Sequence, residues 1–444
     1  MRELFVYSVF VSILLFWGCN GGGRKSAVLK EPEGTIVLSR TFLPEKGEAL
    51  PSIDNVEHKS IMHSDRELVA GANAFAYRLF ASKVADYEKR NFILSPLSWD
   101  YAMAMIAAGA SQDAREEIMK TMGWNSVDKS EVLEYHRRLA RDLATTTSKQ
   151  RIFLANALWI NKGKENLPTR DYPSVLLEYF DAGMAVLDLS QISGIRYIND
   201  WIECKSYGKI KDLLAENIAN PNLRFILTDV LYFNAPWRYP FDKGATREGI
   251  FTTADGKKQK VAMMRTRENL KLADLPEAQI LRLPTEEHGF NLDIILPKNK
   301  NAELTADFLI KHDPIKIFAD NVRYFAYVDV FLPKFKFTTS TLTLLDSEKP
   351  REAECLNLGK LVRKGALIGI MNDPDLIVGK ILQKSMVGWD EEGLEAAAAT
   401  GVAGVFTSMV RDPEIFKADH PFFFIISHES TGKLMFIGQV NRIE

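Results

Sequence analysis

The run Glu391-Glu392-Gly393-Leu394-Glu395-Ala396-Ala397-Ala398-Ala399-Thr400, continued by Gly401-Val402-Ala403-Gly404, decides how this chain is read. Consecutive alanines favour a helix on intrinsic propensity. Yet no broad apolar stripe runs from Leu394 to Gly404, so a helix here would have no face to bury. At period two the segment divides differently. Leu394, Ala396, Ala398, Thr400 and Val402 fall on one side; Glu395, Ala397, Ala399, Gly401 and Ala403 fall on the other. Side chains this small let a strand slide between two existing strands at little steric cost. Taken alone, an Ala-rich helix or a surface loop is the commoner outcome for such a stretch. The surrounding chain has to decide.

With 444 residues and 46% hydrophobic content, a large core is within reach. Length alone would suggest more than one domain, but no Pro/Gly-rich or single-sign linker interrupts residues 65–444. That part reads as one domain. The 56 basic and 58 acidic residues balance, so no net field points to nucleic acid or an anionic surface. With 3 cysteines there is no disulfide framework. Cys204 and Cys355 would pair only if the fold brought them together, and the reading favours their staying apart.

Arg2 precedes an apolar run from Leu4 to Trp17 that is short for a bilayer span and ends at Gly18-Cys19. This resembles a bacterial lipoprotein signal over residues 1–18, with Cys19 as the lipidated first residue of the mature protein. Phe16 and Trp17 depart from that pattern, which usually has Leu and a small residue there; a plain secretory signal is the alternative. Residues 19–64 carry scattered Pro and Glu without periodicity and read as a largely disordered tether. Ser64-Asp65 then caps a helix whose Leu68, Ala72, Phe75 and Leu79 share a face.

Enzyme signatures are missing. The chain has no Gly-x-Ser-x-Gly elbow, His-Glu-x-x-His, phosphate-binding glycine loop, dinucleotide fingerprint or Cys-x-x-Cys. His58, His63, His136, His288, His312, His420 and His428 show no ligand spacing, so no metal and no cofactor are expected.

Other segments fall into a known order. They run Asn91-Phe92-Ile93-Leu94-Ser95-Pro96-Leu97-Ser98, Leu154-Ala155-Asn156-Ala157-Leu158-Trp159-Ile160, Ile198-Asn199-Asp200-Trp201 and Leu231-Tyr232-Phe233 with Trp237 and Phe241. Met263-Met264, Leu332-Pro333-Lys334-Phe335 and His420-Pro421-Phe422-Phe423-Phe424 complete the series. Together with the Ala-rich run, these resemble the serpin family over about residues 65–444. The resemblance implies an α+β fold: a large mixed sheet, two smaller sheets, surrounding helices and an exposed reactive loop from Glu391 to about Asp412. It also implies a suicide inhibitor of serine or cysteine endopeptidases rather than an enzyme. In such an inhibitor the cut loop inserts into the main sheet and traps the acyl-enzyme. Strand addition of this kind is a recognised mode of binding, with serpin loop insertion as a standard example.

Residue by residue, the resemblance implies a hinge at Glu391, Gly393, Leu394, Glu395, Ala396, Ala397, Ala398, Ala399 and Thr400. Counting as the family does, fourteen residues on from Gly393, the cut falls at Thr407-Ser408, with Phe406, Met409 and Arg411 as alternatives. Val405, Phe406 and Met409 suit an elastase-like, chymotrypsin-like or papain-like partner, and Arg411 a trypsin-like one. Ser95, Ser98, Asp229 and Gln383 take the shutter positions and Trp237 the breach. Departures are visible. Leu394 replaces the usual Thr or Ser, and Asp229 with Gln383 replaces an Asn–His pair. Asn234-Ala235-Pro236 replaces a Lys-Gly. A Gln amide can donate to a carboxylate, so one polar pair is expected to replace the other. The resulting reading is a monomeric, lipid-anchored inhibitor on a bacterial envelope, or a secreted one. A non-inhibitory carrier or chaperone of the same fold is the runner-up.

Overall fold

The computed structural model describes residues 32, 35–39, 63–143, 151–162, 168–206, 208, 210–221, 223–286, 289–319, 325–394 and 412–444. A strand, β1 (Ile36–Ser39), precedes helix α1 (His63–Val84), β2 (Phe92–Leu94) and helices α2 (Pro96–Gly109), α3 (Gln112–Thr121) and α4 (Lys129–Leu143). β3 (Arg151–Asn161), α5 (Tyr172–Phe180), β4 (Ala182–Leu187), α6 (Ile192–Lys205) and β5 (Phe225–Pro236) follow. Of these strands β1, β4, β3 and β5 build one sheet: β3 runs antiparallel to β5 and parallel to β4, and β1 closes the edge against β4. Residues 36–39, read from sequence as tether, are therefore an edge strand.

A second sheet takes β6 (Arg247–Thr252), β7 (Lys258–Asp274), β8 (Ala278–Pro284), β9 (Phe290–Pro297) and β10 (Phe325–Pro333). The chain then returns to the main sheet with β11 (Phe335–Thr338), and β12 (Leu342–Asp346) pairs with β13 (Lys380–Gln383). β14 (Met386–Trp389) and the two-residue β15 (Gly393–Leu394) complete the main sheet in the order β1-β4-β3-β5-β15-β14-β11. β16 (Glu414–Lys417) pairs in parallel with β10, and the hairpin β17 (Phe422–His428)–β18 (Leu434–Val440) continues the second sheet from β9 to its edge strand β2.

The second sheet is apolar enough to be buried on both faces at its centre. Every residue of β9, β17 and β18 is buried, as continuous apolar runs such as Phe422-Phe423-Phe424-Ile425-Ile426 require. α2 lies between the two sheets and is buried along its whole length. It forms because Pro96 opens its first turn without losing a useful N–H, while the Ser95 hydroxyl accepts from Ser98 N at 3.3 Å. Asp100 on α2 and Lys433 beside β18, both fully buried, form an ion pair that fixes the helix to the second sheet. α6 covers the opposite face of the main sheet, where Trp201 packs edge-on to Trp159 at 5.2 Å.

In α1, Leu68, Ala72, Phe75 and Leu79 are all buried, as their spacing predicts. Cys355 is free and exposed, so no Cys204–Cys355 bridge forms. Among the described residues no helix is long and apolar enough to cross a membrane, and no cluster of potential metal ligands occurs.

Candidate functional site

At one end of the main sheet the chain leaves β14, turns through Asp390–Glu392 and starts back up between β14 and β5. Asp390 Oδ1 accepts from Glu392 N at 2.8 Å and Asp390 N donates to Gly393 O at 3.1 Å, which closes the turn. β15 then sits antiparallel to both neighbours, Gly393 opposite Pro236 and Leu394 opposite Ala235 and Trp389. Gly393 is needed for approach, not for backbone conformation. A Cβ there would lie 2.4 Å from Ala235 O and 2.5 Å from Pro236 Cα. Leu394 is 1% exposed. Its side chain is already part of the core.

Several groups clamp this turn. Trp237 Nε1 donates to Asp390 O at 2.8 Å, Trp237 N to Glu392 O at 2.9 Å and Phe241 N to Glu391 O at 2.9 Å. The buried Glu391 carboxylate accepts from Thr246 Oγ1 and pairs with Lys334 Nζ, both at 2.6 Å. Burial alone would raise its pKa, but Lys334 and Thr246 overcome this and hold the carboxyl below the usual Glu range. Glu392 pairs with Lys243 at the surface. Lys334 and Thr246 carry no sequence signal for this task. They are found only when β6 and β10 are folded against the turn.

Below Ala235, among the described residues, the ladder on this edge of β5 stops, while the opposite edge stays paired to β3 down to Phe225. β13 lies across from this edge, and Asp229, Leu227 and Phe225 of β5 share a cavity of about 30 Å³ with Gln383 and Ile381 of β13 and Ser98, Trp99 and Ala102 of α2. Along this edge β15 enters a line of separation between β5 and β13, the slot, which is closed down to a cavity of that size.

The shutter residues meet there, in an arrangement unlike the expected pair. Gln383 does not bond Asp229. Its Oε1 accepts from Ser95 N at 2.8 Å and its Nε2 donates to Ser95 O at 2.9 Å, tying β13 to the start of α2. Ser95 Oγ and Ser98 Oγ are 3.2 Å apart. Both Asp229 oxygens are buried without a hydrogen bond. Burial pushes the Asp229 carboxyl up to about 7; the Ser98 hydroxyl opposes that shift but makes no hydrogen bond of normal geometry to it.

The family model described as serpin (serine protease inhibitor) matches residues 70–443. The chain belongs to the serpin family. An uncharacterized serpin-like protein of Methanosarcina mazei is 31% identical over 92% of this chain and 94% of its own length. The human leukocyte elastase inhibitor is 30% identical over 84% of this chain and 99% of its own. Among solved structures, the thermophilic serpin tengpin in its native state superposes with a TM-score of 0.75 at 24% identity, covering 88% of this chain and 97% of that one. That last likeness concerns the fold.

In this serpin, Ser95, Ser98, Asp229 and Gln383 gather at the slot, and Trp237, Glu391, Gly393 and Leu394 gather at its entrance. Glu395, Ala396, Ala397, Ala398, Ala399 and Thr400 lie outside the described residues, as do Phe406, Thr407, Ser408, Met409, Arg411 and Cys19. His136, buried against Tyr101, Trp124 and Tyr135, is a core residue; burial keeps it neutral down to about 3.

Proposed function

We propose that this serpin is a suicide inhibitor of endopeptidases, cut near Thr407-Ser408 and completed by insertion of the cut loop into the slot beside β5. The observation that supports the reading is β15: Gly393 and Leu394, the start of the proposed hinge, pair in a fixed register between β5 and β14. Continuing that register one residue at a time places Ala396 opposite Phe233, Ala398 opposite Leu231 and Thr400 opposite Asp229. Directly opposed residues share a face, so the alanines meet large apolar side chains. The one hydroxyl between Leu394 and Ala403 meets the one carboxylate. Each step of the incoming strand therefore finds a chemically suitable neighbour.

Val405, Phe406 and Met409 around the bond favour an elastase-like, chymotrypsin-like or papain-like target, and the likeness to a leukocyte elastase inhibitor points the same way. Mixing the protein with elastase, chymotrypsin, trypsin and papain and running denaturing gels tests the reading. An adduct that survives boiling in detergent is expected with at least one of the small- or apolar-preferring enzymes. Clean cleavage without adduct would leave a non-inhibitory carrier.

A lipid anchor at Cys19 would hold the inhibitor where surface or periplasmic proteases act; more than one acyl chain is needed for stable attachment. The support is the run Leu4–Trp17 ending in Gly18-Cys19. Fatty-acid labelling in a bacterial host should mark the wild type and leave Cys19→Ser unlabelled; equal labelling of both would remove the anchor.

A further inference from the structure

A carboxylate in the interior with no donor to either oxygen costs several kcal/mol if it is ionised, and none of the described elements packed on Asp229 hydrogen-bonds either of its oxygens. On α2, Ser95 Oγ donates to Ser98 Oγ and accepts from Ser98 N, which leaves the Ser98 proton uncommitted but without a hydrogen bond of normal geometry to the carboxylate; Trp99 stacks on Phe75 with its indole N–H unbonded, and Asp100 is turned to Lys433. On β13, both amide atoms of Gln383 are spent on Ser95, while Lys380 sends its ammonium to Asp346 and Glu348. On β3, Asn156 is the register partner of Asp229. Its Nδ2 reaches Phe180 O at 3.5 Å, and its Oδ1 is also buried without a partner.

Opposed residues of an antiparallel pair hold their Cβ atoms about 5 Å apart. Two orphaned acceptors thus face each other across the β3–β5 ladder. One proton would serve both, since a neutral Asp229 carboxyl can donate to Asn156 Oδ1. We propose that Asp229 is held protonated in the closed sheet and that its ionisation loosens β5 beside the slot, so that sheet opening is faster in alkali and restrained in mild acid. The proposal rests on the inhibitor reading only in treating sheet opening as the functional step.

The direction follows from linkage. The folded value of about 7 lies above the ordinary 3.8, so the closed state keeps a proton that the opened state releases. The stability tied to that proton is complete below about 4 and is lost as pH rises through about 7.

The test uses the intact protein without protease. A synthetic peptide with the sequence of residues 394–407 competes for the slot, and its uptake is timed at pH 5.5 and 8.5. Wild-type uptake should quicken about tenfold or more between these pH values, as expected for a group whose protonation differs between the two states. Asp229→Asn keeps the shape and can donate to Asn156 Oδ1 at every pH; its uptake should stay slow and change less than about twofold. Parallel pH profiles in the two proteins would overturn the role of Asp229 and leave the inhibitor reading standing. No uptake at any pH would remove the slot and both proposals with it. Failure of protease adducts, with the pH contrast intact, would sink inhibition alone. Should Asp229→Asn not fold, carboxyl ¹³C NMR of the wild type decides: one aspartate titrating near neutrality supports the proposal, and none overturns it.

Discussion

One cut in the stretch between Gly401 and Asp412 is expected to raise the melting temperature of this protein by about 10 °C or more, although no bond is added. A cut in an ordinary protein does the opposite, because it loosens the chain. Here the released hinge can continue from β15 along the edge of β5 that, among the described residues, is unpaired below Ala235. About ten new ladder hydrogen bonds at about 1 kcal/mol net each would be formed. That rivals the whole stability of an ordinary domain, about 5–15 kcal/mol. With an unfolding entropy of about 2 cal/mol/K per residue, a domain of this size gains roughly 1 °C per kcal/mol, hence the expected rise. On the proposed reading the uncut form would be a kinetic state, held by the barrier to opening the sheet rather than by its global minimum. Calorimetry before and after limited proteolysis, with gels to confirm a single nick and retention of both fragments, makes the comparison. Equal melting temperatures would mean that nothing inserts.

Much of the fold was legible because its signals are local. The Leu68–Leu79 spacing announces an amphipathic helix, and short runs such as Asn91–Ser98 and His420–Phe424, taken in order, announce the family. Those features depend on neighbours in sequence, where periodicity and capping act. The edge strand Ile36–Ser39 carries no such signal, since its place is set by the exposed edge of β4. The site divides the same way. Gly393 and Leu394 were identified by position, and the structure gives the reasons: backbone contact with Ala235 for the first and burial for the second. The partners of Asp229 and Gln383 were not legible, because they depend on the distance between β5 and β13. In the folded chain Gln383 turns to Ser95 and leaves the carboxylate alone. Lys334 was visible only as part of a motif; its pairing with Glu391 is a long-range consequence of the fold.

If the protein inhibits as proposed, Leu394→Arg is expected to turn it from inhibitor into substrate while leaving the intact fold nearly unchanged. Leu394 is 1% exposed, held between Ala235 and Trp389, and it is the first side chain of the hinge to be buried. Arginine cannot shed its charge at any ordinary pH, and burying an unpaired charge costs several kcal/mol even after local relaxation. In the intact protein the penalty is avoidable, since two residues can withdraw from the sheet with the loss of only a few contacts. During insertion it is not avoidable: every later residue must follow this one into the slot. The protease still meets an unaltered bond at Thr407-Ser408, thirteen residues further on from Leu394, so the rate of cutting should stay within about twofold. What changes is the race between insertion and release of the acyl-enzyme. A slowing of insertion by about 3 kcal/mol corresponds to roughly a hundredfold, enough for release to win. Gels should then show cleaved inhibitor and active protease in place of adduct. The nicked variant should also gain little or none of the thermal stability that nicking gives the wild type. Leu394→Thr, restoring the residue usual in inhibitory relatives, should keep both the adduct and the thermal gain. If the arginine variant inhibits as fast as the wild type, Leu394 is not the leading residue of the inserting strand and the register drawn from β15 is wrong.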